Sequence, residues 1–194
     1  MKKTALLFLA VAFANVVESA PTLDTGSTNP DPGSSTNAGI VARSAVTLDA
    51  VAVGLGQSRD NIGIYRLGLR SDFKRSWLYG NLTGFFEASA NYWRKHEDEA
   101  FGVALSPVFV FQPRLGLGEW RPYIDGGIGV ACISKTMIAG RNMSSLFQFE
   151  DRVGVGIKWR RLDLNVGYLH YSNANRVLPN QGIDIFIATG TYSF

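Results

Sequence analysis

His170 and Ser172 stand two residues apart at the end of the same-parity row Leu164, Val166, Tyr168, His170, Ser172. In an extended strand, residues i and i+2 leave the same face with Cα atoms about 7 Å apart, so an imidazole and a hydroxyl at this spacing can meet. Asp184 follows a loop over 173–182 and shares parity with Phe186, Ala188, Tyr192 and Phe194. If the two stretches close as a hairpin, Asp184 comes alongside His170 on the neighbouring strand. A hydroxyl, an imidazole and a carboxylate in that order are a nucleophile, its general base and the group that orients the base. A plainer account is also open, because a His and a Ser at the polar rim of a sheet are commonplace. The residues alone leave both accounts standing.

The elements that would position these groups alternate with period two. Thr83, Phe85, Glu87, Ser89 and Asn91 face Leu82, Gly84, Phe86, Ala88, Ala90 and Tyr92 across one stretch. Asp163, Asn165 and Gly167 oppose Leu162, Leu164, Val166 and Tyr168, and Gln148, Glu150 and Arg152 oppose Phe147, Phe149 and Val153, with Asp151 as the exception. An inner face carrying Glu87, Asp125, Glu150 and Arg152 suits a narrow lumen of paired charges better than an apolar core. Trp77, Trp120 and Trp159 fall in alternate connections, as one interfacial girdle requires. The chain ends inside a strand on Phe194, which looks like the C-terminal assembly signal of bacterial outer-membrane barrels.

Candidate strands cover 46–56, 62–70, 82–94, 101–112, 122–133, 146–158, 161–172 and 183–194. The expected fold is all-β, an eight-stranded antiparallel transmembrane β-barrel of the bacterial outer membrane over residues 45–194. An even strand number puts both ends on the periplasmic side and the 173–182 loop outside. An aspartate on the lipid-facing parity is costly at mid-bilayer and much less so near the headgroups, which places Asp184 at the rim. Pro107 inside the fourth strand must lose a ladder hydrogen bond, so a bulge or bend is expected there. Glycine pairs two apart, such as Gly127 and Gly129, clear one face of side chains, and none completes a dinucleotide-binding G-x-G-x-x-G.

Composition narrows the alternatives. The 194 residues are 46% hydrophobic and 18% charged. The longest apolar run, Ala5 to Val17, is too short to span a bilayer as a helix, and no second run follows. Met1-Lys2-Lys3 before that run makes residues 1–20 a secretory signal peptide. Ala12-Phe13-Ala14 and Val17-Glu18-Ser19 are its two candidate cleavage sites. Residues 21–44 are a leader rich in Pro, Gly, Ser and Thr whose composition cannot bury enough apolar area to order it. One cysteine, Cys132, excludes an intrachain disulfide and reads as a small apolar strand residue. One Cys and two His leave little for a zinc site, and His96 beside Glu97, Asp98 and Glu99 reads as a solvated loop. A net charge of +3 spread along the chain gives nucleic acid no stripe to bind.

The run His170-Tyr171-Ser172-Asn173-Ala174-Asn175, followed by Pro179-Asn180-Gln181-Gly182-Ile183, resembles the C-terminal signature of the outer-membrane lipid A 3-O-deacylases (the PagL type). Tyr65 to Leu69, Leu105 to Val110, Pro122 to Ile124, Gly127 to Ala131 and Phe149 to Arg152 are similar to the same family, so the resemblance covers 46–194. It implies an eight-stranded barrel with its active site toward the outer leaflet. His170 would be the general base, Ser172 the nucleophile, and a carboxylate in the last strand the orienting group. Asn173 belongs to the motif, and Asn180 matches an asparagine associated with the oxyanion hole. The departure is Asp184, where well-known members carry Glu; one methylene less requires a closer imidazole or a bridging water. Glu87 and Glu150 have the wrong parity to substitute.

The implied substrate is lipid A within lipopolysaccharide, among outer-membrane lipids, with no metal or organic cofactor. Homodimer formation is a further implication, with no interface legible in the sequence. Lys95, Lys135, Arg141 and Arg176 fall in outer loops as candidate contacts for lipid A phosphates, or as ordinary solvated charge. Two other functions remain to be separated from this one: a non-catalytic barrel, and another outer-membrane acyltransferase or phospholipase.

Overall fold

The computed structural model describes residues 47–194. The expected signal peptide (1–20), the leader (21–44) and the start of the barrel at 45 lie outside the described residues. Strands β1 (Ala50–Ser58), β2 (Gly63–Asp72), β3 (Leu82–Lys95), β4 (Asp98–Phe111), β5 (Trp120–Ile133), β8 (Phe147–Trp159), β9 (Leu162–Ser172) and β10 (Ile183–Ser193) form the wall. They close antiparallel in the order β1-β10-β9-β8-β5-β4-β3-β2. A separate two-stranded hairpin, β6 (Met137–Ile138) and β7 (Arg141–Asn142), stands in the connection between β5 and β8. The eight-stranded expectation holds, and both ends of the wall meet at one rim, where Phe194 N donates to the Asp49 carbonyl at 3.0 Å.

Several boundaries differ. The first strand begins at Ala50 rather than 46. β3 and β4 pair out to Lys95 opposite Asp98, so only His96 and Glu97 remain as a turn, with His96 at φ 54°. No bulge forms at Pro107. The β4–β5 ladder skips Ser106 and Pro107 and resumes in the same register, Leu105 opposite Val130 and Val108 opposite Gly127. Two glycines absorb the disturbance instead. A Cβ on Gly127 would sit 2.2 Å from the Pro107 carbonyl oxygen, and one on Gly129 would sit 1.9 Å from Ser106 Oγ. The bare backbone there lets the strands approach without an extra residue.

The alternation is inverted relative to a water-soluble sheet, because lipid is the outer solvent. Val53, Leu55, Val103, Leu105, Ile128 and Leu164 face outward and are exposed, whereas Arg66, Arg70, Glu87, Asp125 and Glu150 are buried inside. Arg66 Nη1 and Nη2 each donate to Glu150 at 2.8 Å. Glu87 takes Arg66, Arg70 and Arg152 at 2.7–3.0 Å. Ser106 and Tyr171 donate to Glu150 at 2.8 and 2.6 Å, so the network pins the inner face of β9 between His170 and Ser172. Above it, Ile62, Ile64, Trp93, Tyr171 and Ile183 pack into an apolar layer. Trp120 and Trp159 stack with centroids 5.7 Å apart at the opposite rim, where Trp77 meets Phe73 and Phe109, giving the expected girdle.

This interior makes a stability prediction. Glu150→Ala leaves the Arg66 guanidinium buried with half its charge partners gone, which costs about 3–5 kcal/mol. Urea titration of the barrel folded in vesicles measures it.

Candidate active site

The register of three adjacent strands builds the site. β10 places Asp184 directly opposite His170, and β8 places Asp151 opposite the same histidine on its other side. Directly paired residues have Cβ atoms about 4.5–5.5 Å apart, a separation that one short carboxylate and one imidazole fill without slack. His170 Nδ1 lies 2.7 Å from Asp184 Oδ1. The imidazole therefore meets the shorter carboxylate directly, and no bridging water is needed. With Nδ1–H donated to Asp184, Nε2 is the nitrogen that accepts a proton. Asp151 is half-buried and makes no side-chain hydrogen bond among the described residues, so of the two carboxylates Asp184 is the one in contact with the imidazole.

Ser172 shares the outer face of β9 two residues beyond His170, opposite Phe149. It makes no hydrogen bond to His170 here; nucleophile–base contacts of this kind tighten in the Michaelis complex. Gly182 closes the far side at φ +60°, and a Cβ there would stand 3.1 Å from His170 Cε1 and 3.1 Å from the Tyr171 carbonyl oxygen. Only glycine combines that backbone with that clearance.

The β6–β7 hairpin, which carries no periodic signal in so few residues, fixes the 173–182 loop. Arg141 pairs with Asp60, and its Nη1 donates to the carbonyls of Gln181 and Gly182, both at 3.1 Å. Asn142 N donates to Gln181 Oε1 at 2.6 Å, and Ser144 Oγ to the Pro179 carbonyl at 2.6 Å. The amide of Asn173 is turned inward, 1% exposed, with Nδ2 donating to the carbonyls of Met143 (2.9 Å) and Val177 (2.8 Å). Its side chain braces the loop from within, which is the part this member of the motif plays in the structure. Asn180 accepts from Asn173 N at 3.2 Å and donates one N–H to Asn175, leaving its second N–H available.

The four candidate phosphate contacts separate. Lys95 ends β3, four strands from β9 in either direction, and so stands on the opposite wall. Lys135 is paired with Asp98, and Arg141 is spent on Asp60 and the loop carbonyls. Arg176 lies in the active-site loop, 5.5 Å from the Phe149 ring, with no carboxylate partner among the described residues. Arg59, exposed in the β1–β2 turn and without an ion pair among the described residues, is a cation on the site's side that sequence parity could not place. Tyr168, read from the sequence as a lipid-facing residue, reaches Asp184 Oδ1 at 2.5 Å. An apolar groove of about 910 Å³ starts at Tyr168 and Phe186 and crosses the outer wall past Ala188 and Gly126 to Phe109 and Phe111.

Comparison with known proteins agrees with this construction. Residues 63–193, from β2 through β10, match the family described as lipid A 3-O-deacylase (PagL). The lipid A deacylase PagL of Pseudomonas aeruginosa is 35% identical over 142 residues, 70% of this chain and 81% of that protein. The lipid A deacylase PagL of Bordetella bronchiseptica is 34% identical over 117 residues, 60% of this chain and 65% of that protein. A crystal structure of the outer-membrane enzyme PagL aligns with a TM-score of 0.70 at 32% identity, covering 75% of this chain and 99% of that one. The wall, the rim and the strand pairing that joins His170 to Asp184 are thus those of an outer-membrane barrel that belongs to the lipid A 3-O-deacylase (PagL) family.

Proposed function

We propose that this protein hydrolyses the ester that links a 3-hydroxyacyl chain to the 3-position of lipid A, using Ser172, His170 and Asp184. The observation that carries the reading is the His170–Asp184 contact of 2.7 Å on the lipid-facing side of the rim, with Ser172 on the same face. A base, its orienting carboxylate and a hydroxyl at headgroup depth meet an ester that the outer leaflet holds at that same depth.

Ser172 Oγ attacks the ester carbonyl carbon as its proton passes to His170 Nε2. The imidazolium that forms is stabilised by Asp184. The free N–H of Asn180 and backbone N–H groups of the 173–182 loop are the candidate donors to the oxyanion. The tetrahedral intermediate collapses with cleavage of the bond to the sugar oxygen, which takes the proton from His170. Water, deprotonated by His170, then attacks the acyl-Ser172 ester; its collapse frees the 3-hydroxy fatty acid and returns the proton to Ser172. The groove below Tyr168 and Phe186 offers the departing chain an apolar bed. Arg176 and Arg59 are the cations positioned for the phosphates of the substrate.

The test is product identity. Barrel folded in vesicles with purified lipid A yields lipid A lighter by one 3-hydroxyacyl group, together with the free hydroxy acid, by mass spectrometry. Acyl chains moved onto another lipid, or lysophospholipid without deacylated lipid A, would assign a different reaction to the same residues.

A further inference from the structure

We infer that Tyr168 is a positioning residue of the triad, its hydroxyl holding the short Asp184 carboxylate on His170 Nδ1. The inference rests on the esterase reading above and concerns how that site is kept in register. Tyr168 Oη donates to Asp184 Oδ1 at 2.5 Å, and the same oxygen takes His170 Nδ1 at 2.7 Å. Without Tyr168, the Asp184 side chain would make no hydrogen bond besides that to His170 among the described residues.

Strand register explains why a tyrosine at this position can do this. Tyr168 is two residues before His170 on β9 and lies opposite Phe186, two residues after Asp184 on β10. It is therefore the diagonal neighbour of Asp184, within reach of a long aromatic side chain and beyond reach of a short one. Its ring meets Phe186 edge-on, with centroids 5.5 Å apart and planes at 62°, which limits the directions the hydroxyl can take. Asp184 is 44% exposed and His170 35%, so no surrounding core fixes their rotamers. An aspartate at a half-exposed rim has two torsions to settle, and a second donor on Oδ1 settles them. The competing account is that Tyr168 is one more interfacial aromatic, with its ring in lipid and its hydroxyl satisfied by whatever is polar nearby.

The charged and titratable groups around the pair are few. Tyr168 lies on β9 itself and Asp151 on β8, while Arg59 and Arg141 reach toward the pair from the β1–β2 turn and the β6–β7 hairpin. Removing the Tyr168 hydrogen bond leaves the Asp184 side chain free to turn away from His170 Nδ1.

The experiment uses the folded barrel with lipid A and compares wild type, Tyr168→Phe, Asp184→Glu and the double variant. Tyr168→Phe keeps the ring and its contact with Phe186, so heat-modified gel mobility stays that of the folded barrel. Its kcat falls about 10- to 100-fold with KM within about twofold, the loss expected for one hydrogen bond to a charged group. A glutamate carboxylate sits one methylene farther out, away from the Tyr168 hydroxyl, so adding Tyr168→Phe to Asp184→Glu changes kcat by less than about twofold. Wild-type kcat in Tyr168→Phe would overturn the inference, as would an equal loss in both backgrounds. A wild-type protein that releases no hydroxy acid would instead overturn the esterase reading on which it rests.

Discussion

Lipid A from cells making the Ser172→Ala protein keeps every acyl chain, whereas the wild-type protein removes one 3-hydroxyacyl group from the 3-position. Ser172 is the aliphatic hydroxyl on the outer face of β9, two residues beyond His170. Its loss removes covalent catalysis altogether, which lowers kcat by about 10³-fold or more. Alanine costs the fold little, because Ser172 makes no side-chain hydrogen bond among the described residues and the inner clamp on β9 runs through Tyr171 and Glu150. Mass spectra of lipid A from the two strains, with equal amounts of folded barrel in the membrane, decide the matter. Identical deacylation by both proteins would remove Ser172 from the mechanism.

Asp184→Asn lowers kcat about 10²- to 10⁴-fold with KM little changed. The amide has the size of the carboxylate and can still accept from His170 Nδ1, but it lacks the charge that stabilises the imidazolium as Ser172 gives up its proton. Asp151→Asn is the control within the same row. It faces His170 from β8 yet makes no hydrogen bond to it, so its removal leaves the tautomer and orientation of the imidazole in place. Steady-state kinetics on the three proteins rank the carboxylates. A larger loss of kcat in Asp151→Asn would reverse the assignment.

Much of this was legible in the chain because lipid and lumen impose opposite rules on alternate residues. Glu87, Asp125, Glu150 and Arg152 could be placed inside, and His170, Ser172 and Asp184 on one outer face, from parity alone. Parity gives a face but neither a wall nor a partner. Lys95 looked like its fellow outer-loop cations, yet barrel closure puts it on the far side of the mouth, and Lys135 and Arg141 were already engaged by Asp98 and Asp60. Tyr168 sat in an apolar row, and nothing in its spacing announced that its hydroxyl would reach diagonally to the next strand. The β6–β7 hairpin holds the 173–182 loop with four residues of strand, too few for any period to register. Pro107 implies a lost ladder hydrogen bond with a bulge or bend; the ladder does lapse over Ser106 and Pro107, and Gly127 and Gly129 on the next strand make room without an extra residue.

His170, Ser172 and Asp184 stand on the outside of the wall, so an esterase that uses them never draws its substrate from water. Encounter is lateral diffusion within a leaflet, and the quantity that saturates the site is the mole fraction of lipid A in the surface rather than its molarity. Adding inert phospholipid or detergent at constant total lipid A should therefore slow turnover through surface dilution, while adding bulk water should not. A membrane densely packed with lipid A presents this enzyme with a nearly pure phase of its substrate, in which turnover is set by chemistry and by the exit of the fatty acid along the wall.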